Sequence, residues 1–509
     1  MSRRTLSGIA AVVAAVAALT TACGGGNESV ATAQAPARAQ ATAQASAVAP
    51  ATLTPCGIPK IPTAKCGSVT VPLDRAHPEA GTTKVGFALV PRTNRSRPSL
   101  GTVVTNPGGP GTGAVDLTGH LYAEGLKPIL DRRDLLLIDP RGVGRSDPIH
   151  CPALENPARV FASVAKQRAA IGACGRQLGA KARYYGTAAV ADDFDDVRAA
   201  LGIDRLDLLG DSYGTYLMPT YVARHPNHVR SVVLSGAYPV NTSNDPVGAV
   251  AIGALRRAAR LVCERTGSCS GDTVLSDLTD LATKLRAKPV TMDVSYEKKT
   301  YTVTLDEWQL AGTVGKIYSG PAAVDTKLAL AKALASARTG DLAPVQELVR
   351  AHLVEKAGNL TLGSELLSET LTWATTCHDY HRDFDYADSV ADRKADFEKA
   401  VSRMKTKKFL PFSPKAWLTR DDYDTGACLE WPADPTATAP FPRGTRLADV
   451  PTLVLSGDLD ANTSSTSGRE AAAQFPHARF VEVKNAGHTP TATPDGAKLV
   501  MQFIAKRHR

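Results

Sequence analysis

The pentapeptide Gly210-Asp211-Ser212-Tyr213-Gly214 constrains this chain more than any other stretch, because of what stands on either side of it. The run Leu206-Asp207-Leu208-Leu209 leads in with strand character, and Thr215-Tyr216-Leu217-Met218 leads out with residues that suit a helix. A strand that becomes a helix within five residues is a strained turn. Side chains two positions before and after its apex would strike neighbouring backbone, so glycine is needed at both places. Background frequencies of Gly and Ser give about 0.2 accidental matches in a chain of this size, so the flanking elements, not the motif alone, carry the reading.

Other short apolar runs repeat the pattern. Thr102 to Thr105, Leu135 to Ile138, Ser231 to Leu234, Thr452 to Leu455 and Arg479 to Val483 are each closed by a Gly, Asp or Asn loop. The shortest carry little polar alternation, as strands covered on both faces do. Ser68 to Leu73 and Lys84 to Val90 read as opening antiparallel strands, and Val190 to Leu201 as a helix between strands. The expected class is therefore α/β with a mostly parallel sheet. After about Tyr238 the alternation lapses for nearly 200 residues. There Pro246 to Arg260, Lys327 to Arg338 and Leu362 to Thr376 have helical composition. The expected organisation is a leader over 1–23, a tether over 24–52, a first core part over 53–239, a mainly helical lid over 240–443 and a closing core part over 444–509. Such a lid would cover the carboxyl edge of the sheet, where open α/β folds bind ligands.

A serine at the apex of this turn needs a base for its proton, and the base needs a carboxylate to orient it. In strand–turn–helix arrangements of this kind the chain order is Ser, acid, His. His488 is favoured among the 11 histidines, since it follows a final strand on the loop Asn485-Ala486-Gly487-His488. The acid lies in Ser456-Gly457-Asp458-Leu459-Asp460. Asp460 is preferred, standing further beyond the strand end, and Asp458 is then a loop-capping residue. Charge developing on a carbonyl oxygen requires two preplaced N–H donors. Tyr213, next to the serine, supplies one, and Gly109 of Asn106-Pro107-Gly108-Gly109-Pro110-Gly111 the other. That glycine loop lacks both the Lys-Ser/Thr of a phosphate cradle and the dinucleotide spacing, so no cofactor is expected.

The segments Asn106 to Gly111, Asp139-Pro140-Arg141-Gly142-Val143-Gly144-Arg145-Ser146 and Gly210 to Tyr216 resemble the secreted actinobacterial tripeptidyl-aminopeptidase branch of the prolyl-iminopeptidase-like peptidases, which have the α/β-hydrolase fold. The resemblance runs from Cys56 onward, through Cys377 and Cys428, to Asp460 and His488. It implies release of short peptides from a free amino end. The family often continues its acid loop with Pro-Val-Thr-Pro, where this chain has Ala461-Asn462-Thr463-Ser464. An exopeptidase also needs carboxylates for the substrate ammonium. Glu365, Glu369 and Asp379 are available in the lid, with Glu365 and Glu369 the candidates. Cys377-His378-Asp379-Tyr380-His381 has metal-ligating types, but the chemistry needs no ion and none is expected. A carboxylesterase, or a peptide-binding surface lipoprotein without catalysis, are the competing readings.

Arg3, Arg4, the apolar run Ile9 to Leu19 and Thr20-Thr21-Ala22-Cys23 have the parts of a secretory signal, with Cys23 placed for a lipid anchor. Setting Cys23 aside leaves eight cysteines, an even number in sequence-near pairs, as disulfides in an oxidising compartment require. Proximity suggests Cys56 with Cys66, Cys151 with Cys174, Cys263 with Cys269, and Cys377 with Cys428. The chain has 59 basic and 50 acidic residues, a net +9. The basic residues are scattered and lack interleaved aromatics, so no nucleic-acid partner is expected. Peptides are the expected partners, and a membrane only through the anchor.

Overall fold

The computed structural model describes residues 49–506 and 508, except 242–247, 321–323 and 422. The leader, Cys23, most of the tether and the expected helix start at Pro246 lie outside the described residues.

Eleven strands are present among the described residues: β1 (Thr54–Pro55), β2 (Lys65–Pro72), β3 (Thr82–Val90), β4 (Gly101–Asn106), β5 (Arg133–Ile138), β6 (Leu206–Asp211), β7 (Val229–Ser235), β8 (Val290–Tyr296), β9 (Lys299–Leu305), β10 (Thr452–Gly457) and β11 (Ala478–Val483). Nine of them form one sheet in the order β1-β2-β3-β5-β4-β6-β7-β10-β11. The first three pair antiparallel, β3 meets β5 antiparallel, and the six from β5 to β11 are parallel.

The central strands are apolar on both faces because both faces are covered. Val104, Leu136, Leu208, Val232 and Val454 pack with Phe194, Leu217 and Met218 from the helices Thr187–Ala200 and Gly214–Arg224. Val103, Leu135, Leu209, Val233 and Leu455 pack on the other face with Val500 and Ile504 of the helix Pro494–Ile504. From β4 the chain moves one way to β5; from β6 it moves the other way to β7. The crevice between the ends of β4 and β6 is thus a topological switch point, where α/β sheets bind ligands.

The long stretch between β7 and β10 has its own core, in which Leu255, Leu278, Leu310, Leu334 and Leu353 of successive helices meet. One of its elements was not anticipated, and one expected helix start needs correction. Within it, β8 and β9 form an antiparallel hairpin turning at Glu297-Lys298, with Glu297 at φ +52°. Met292, Val294 and Val303 point inward, a period of two that the surrounding helical composition conceals. The helix expected from Leu362 starts only at Glu369, where Ser368 accepts the amide of Leu371 as its N-cap. Residues before it run alongside the glycine loop instead: Thr112 bridges Leu367, and Ser368 N–H donates to Gly111 O at 2.8 Å.

Candidate active site

The turn after β6 has the strain its sequence implies. Ser212 sits at φ +53°, in the left-handed region that a serine rarely adopts. Its N–H donates to Ser235 O at 3.0 Å, and its carbonyl accepts from Thr215 N–H and Oγ1 at 2.8 and 2.6 Å. A Cβ on Gly210 would lie 2.3 Å from Gly214 O, and one on Gly214 would lie 2.5 Å from Asn106 O. Neither position tolerates a side chain.

The glycine loop after β4 presses on this turn. A Cβ on Gly108 would come within 2.8 Å of Ser212 Cβ and 3.0 Å of Tyr213 N. Gly108 spends its own N–H on Asn106 Oδ1 at 3.0 Å. Tyr213 stands immediately before the helix Gly214–Arg224. Asp139, at the end of β5, holds the same region from behind by accepting the amides of Ala114, Val115 and Arg145. Burial pushes its carboxyl up to about 6, against the pull of those amides.

Asp460 lies on the loop beyond β10 and His488 beyond β11, both at the sheet edge that carries Ser212. His488 Nδ1 is 3.0 Å from Asp460 Oδ2. Asp460 is almost fully buried and also accepts the amides of Asn462 and Thr463 at 2.7 and 3.1 Å. A carboxylate only accepts, so in this pair the imidazole donates through Nδ1–H. Asp458 is engaged elsewhere: Arg265 of the lid helix Ala249–Thr266 donates to its Oδ2 at 2.6 Å. It is an ion-pair partner and not the capping residue expected of it.

Three neighbours of this pair were not anticipated. Thr463 Oγ1 donates to Asp460 Oδ2 at 2.7 Å and meets His488 Nδ1 at 2.9 Å. Gly236, at φ +64° after β7, lies so close that a Cβ would be 3.0 Å from His488 Cε1. Thr491 Oγ1 donates to Asp211 Oδ1 at 2.6 Å, tying the His488 loop to the residue before Ser212. Tyr122 donates to the other Asp211 oxygen at 2.7 Å, and burial raises the carboxyl of Asp211. The sequence signal available for Thr463 was its retention in an acid loop that otherwise departs from the family pattern.

The lid meets the acid loop directly. Ala461 N–H donates to Tyr318 O at 3.0 Å, a bond that a proline at 461 would lack. Lys327 is buried beside it, its ammonium 3.2 Å from Ile317 O and over the Tyr318 ring at 5.0 Å. Burial lowers its pKa to about 8, although the charge of Asp460 opposes the shift.

The carboxylates expected to hold a substrate ammonium have these partners in the structure. Glu369 receives Arg159 at 2.6 Å. Glu365 is exposed and stands 3.4 Å from His150. Asp379 accepts the amide and hydroxyl of Thr187 and faces His378 Nδ1 at 2.7 Å. Glu369 is thus ion-paired and only part-exposed, and Glu365 lies on the surface. The four disulfides join Cys56 to Cys66, Cys151 to Cys174, Cys263 to Cys269 and Cys377 to Cys428.

Comparison with known proteins agrees with this architecture. The family described as alpha/beta hydrolase fold matches residues 101–335, and the family described as TAP-like protein matches residues 416–506. Serine protease Hip1 of Mycobacterium tuberculosis (strain ATCC 25618 / H37Rv) is 33% identical over 206 residues, 37% of this chain and 39% of that protein. Tripeptidyl aminopeptidase of Streptomyces coelicolor is 32% identical over 200 residues, 36% of each chain. Carboxylesterase B of the same Mycobacterium tuberculosis strain is 34% identical over 194 residues, 35% of this chain and 37% of its own. The matches span less than two fifths of the length of these relatives. The chain has the α/β-hydrolase fold, with the fold-family match confined to residues 101–335 and the TAP-like match to residues 416–506.

Proposed function

We propose that the protein is an exported serine hydrolase that releases short peptides, tripeptides in particular, from substrates with a free amino end. The hydrogen bond between His488 Nδ1 and Asp460 Oδ2, on the same sheet edge as the left-handed Ser212, is the observation that supports this most. Ser212 Oγ attacks the substrate carbonyl carbon while His488 Nε2 takes its proton. Asp460 stabilises the imidazolium that forms. Tyr213 N–H and Gly109 N–H receive the oxyanion, Gly108 having committed its own N–H to Asn106. The tetrahedral intermediate collapses, the C–N bond breaks, and the leaving amine takes the proton from His488. Water, deprotonated by His488, then attacks the acyl-enzyme and frees the peptide acid and Ser212.

The TAP-like match and the tripeptidyl aminopeptidase relative support the peptidase reading. Carboxylesterase B supports a second reading, in which the same groups cleave esters and the lid excludes peptides. Four disulfides favour an oxidising, extracytoplasmic compartment. No helix among the described residues is long and apolar enough to cross a membrane. A cleaved leader and a lipid on Cys23 complete the proposal, with residues 240–443 as the substrate-selecting lid.

A fluorophosphonate probe should label the wild type and leave Ser212→Ala unlabelled. Tripeptidyl amides assayed beside short acyl esters separate the two enzymes: ester turnover with no amide turnover overturns the peptidase reading. A folded wild type that resists the probe overturns both and favours a peptide-binding protein.

A further inference from the structure

At the far end of the helix that begins behind Ser212, two histidines converge on one carboxylate. His225 closes the helix Gly214–Arg224, and His228 ends the short turn Pro226–His228 that follows. Asp195 comes from the neighbouring helix Thr187–Ala200. His228 Nδ1 is 2.7 Å from Asp195 Oδ1, and His225 Nδ1 is 3.6 Å from Asp195 Oδ2. The two imidazole rings lie nearly parallel, 6.0 Å apart. One ligand atom from each residue falls within 4.8 Å of the others. Two ligands of one tetrahedral zinc ion, each bonded at about 2.0–2.1 Å, stand roughly 3.4 Å apart, so the separation of His225 from Asp195 suits a bridging ion better than a direct hydrogen bond.

The surroundings complete such a site. His225 Nε2 meets Asp192 Oδ1 at 2.9 Å, which puts a carboxylate behind the imidazole and leaves Nδ1 turned toward Asp195. Metal-ligating histidines are oriented by that kind of partner. Arg198 donates to both oxygens of Asp195, at 2.6 and 3.2 Å, and Tyr221 donates to Oδ1 at 2.8 Å. These contacts crowd Oδ1 and leave Oδ2 as the freer donor. The three side chains are partly exposed, so an ion and its remaining waters can reach them from solvent.

We propose that Asp195 Oδ2, His225 Nδ1 and His228 Nδ1 bind one divalent transition-metal ion of the zinc class. Two imidazoles and a carboxylate select such an ion over magnesium or calcium, which prefer oxygen. The ion clamps the helix Thr187–Ala200 to the end of the helix Gly214–Arg224. It plays no part in hydrolysis, since the 11 residues of the latter helix separate it from Ser212 by about 16 Å.

The test uses the full chain stripped with EDTA and then titrated with zinc chloride, with magnesium chloride as the control. Calorimetry should find one zinc per chain, and zinc should raise Tm by about 3–5 °C while magnesium does not. His228→Gln and His225→Gln should each lose the bound ion and the Tm rise. Probe labelling of Ser212 in each variant, and its Tm in EDTA, report that the fold is retained. Absence of zinc binding by the wild type overturns the proposal, as does undiminished binding by the variant with both histidines replaced.

Discussion

Thr463 touches both Asp460 and His488, its hydroxyl donating to Asp460 Oδ2 and meeting His488 Nδ1. Thr463→Val keeps the shape and removes that hydroxyl. Its kcat/KM should fall about tenfold, roughly the worth of a charge-assisted hydrogen bond, while Thr463→Ser should restore most of it. An unchanged Tm of the valine variant, together with rescue by serine, separates this from a general loss of structure. Gly236 is a second case in which one atom matters. At φ +64°, with the His488 ring and Thr463 Oγ1 about 3 Å from where a Cβ would stand, Gly236→Ala must displace the imidazole. A fall in kcat of about 10²-fold with KM little changed is expected from steady-state kinetics. An unchanged kcat would mean that the ring is not held against this position.

Among the elements, the helix Glu369–Asp379 is held both by hydrogen bonds to the glycine loop and by a disulfide. It packs beside the glycine loop through Ser368 and Thr372, and its Cys377 is joined to Cys428, 51 residues away. Closing a loop of that length removes about 4 kcal/mol of unfolded-chain entropy. The Cys377→Ser, Cys428→Ser double variant should therefore lose up to about 4 kcal/mol in urea denaturation. Its probe labelling at low temperature should persist, because Ala114 and Val115, just past the glycine loop, are held by Asp139. The hairpin of β8 and β9 shows how an element hides from its composition. Its alternation is regular, yet it is flanked by helical segments that dominate any wider window.

At the scale of the whole molecule, the lid and the sheet are one packed body, joined where Ala461 and Leu459 of the acid loop enter the core of the lid. Lys327 is the groups' one buried ammonium at that junction among the described residues, and it makes stability depend on pH. Its pKa is about 8 in the folded protein and 10.5 when exposed. Below pH 8 both states hold the proton, and the fold bears the cost of burying the charge. Between pH 8 and 10.5 the unfolded chain binds more protons than the folded one, so stability rises with pH across that window. A shift of that size corresponds to about 3 kcal/mol at most. Lys327→Met should accordingly be more stable than wild type at pH 7.5, with the gap closing toward pH 10.5. Urea midpoints measured at several pH values check this, and a gap independent of pH would sink it.

The turn at Ser212 and the alternation of strands and helices were legible in the sequence because each rests on local sterics or short periodicity. The glycines of the turn are required by atoms within a few residues of them, and by the adjacent strand β4. What each carboxylate does was decided by residues far away in the chain. Asp458 and Asp460 are two positions apart and chemically alike. Arg265, arriving on a lid helix 193 residues earlier, takes the first, and His488, 28 residues later, faces the second. Glu369 is neutralised by Arg159, 210 residues before it. A carboxylate has the same intrinsic chemistry wherever it stands; position beyond the strand end favoured Asp460, but the partners that the tertiary structure places within about 3 Å of Asp458 and Glu369 have no local signature.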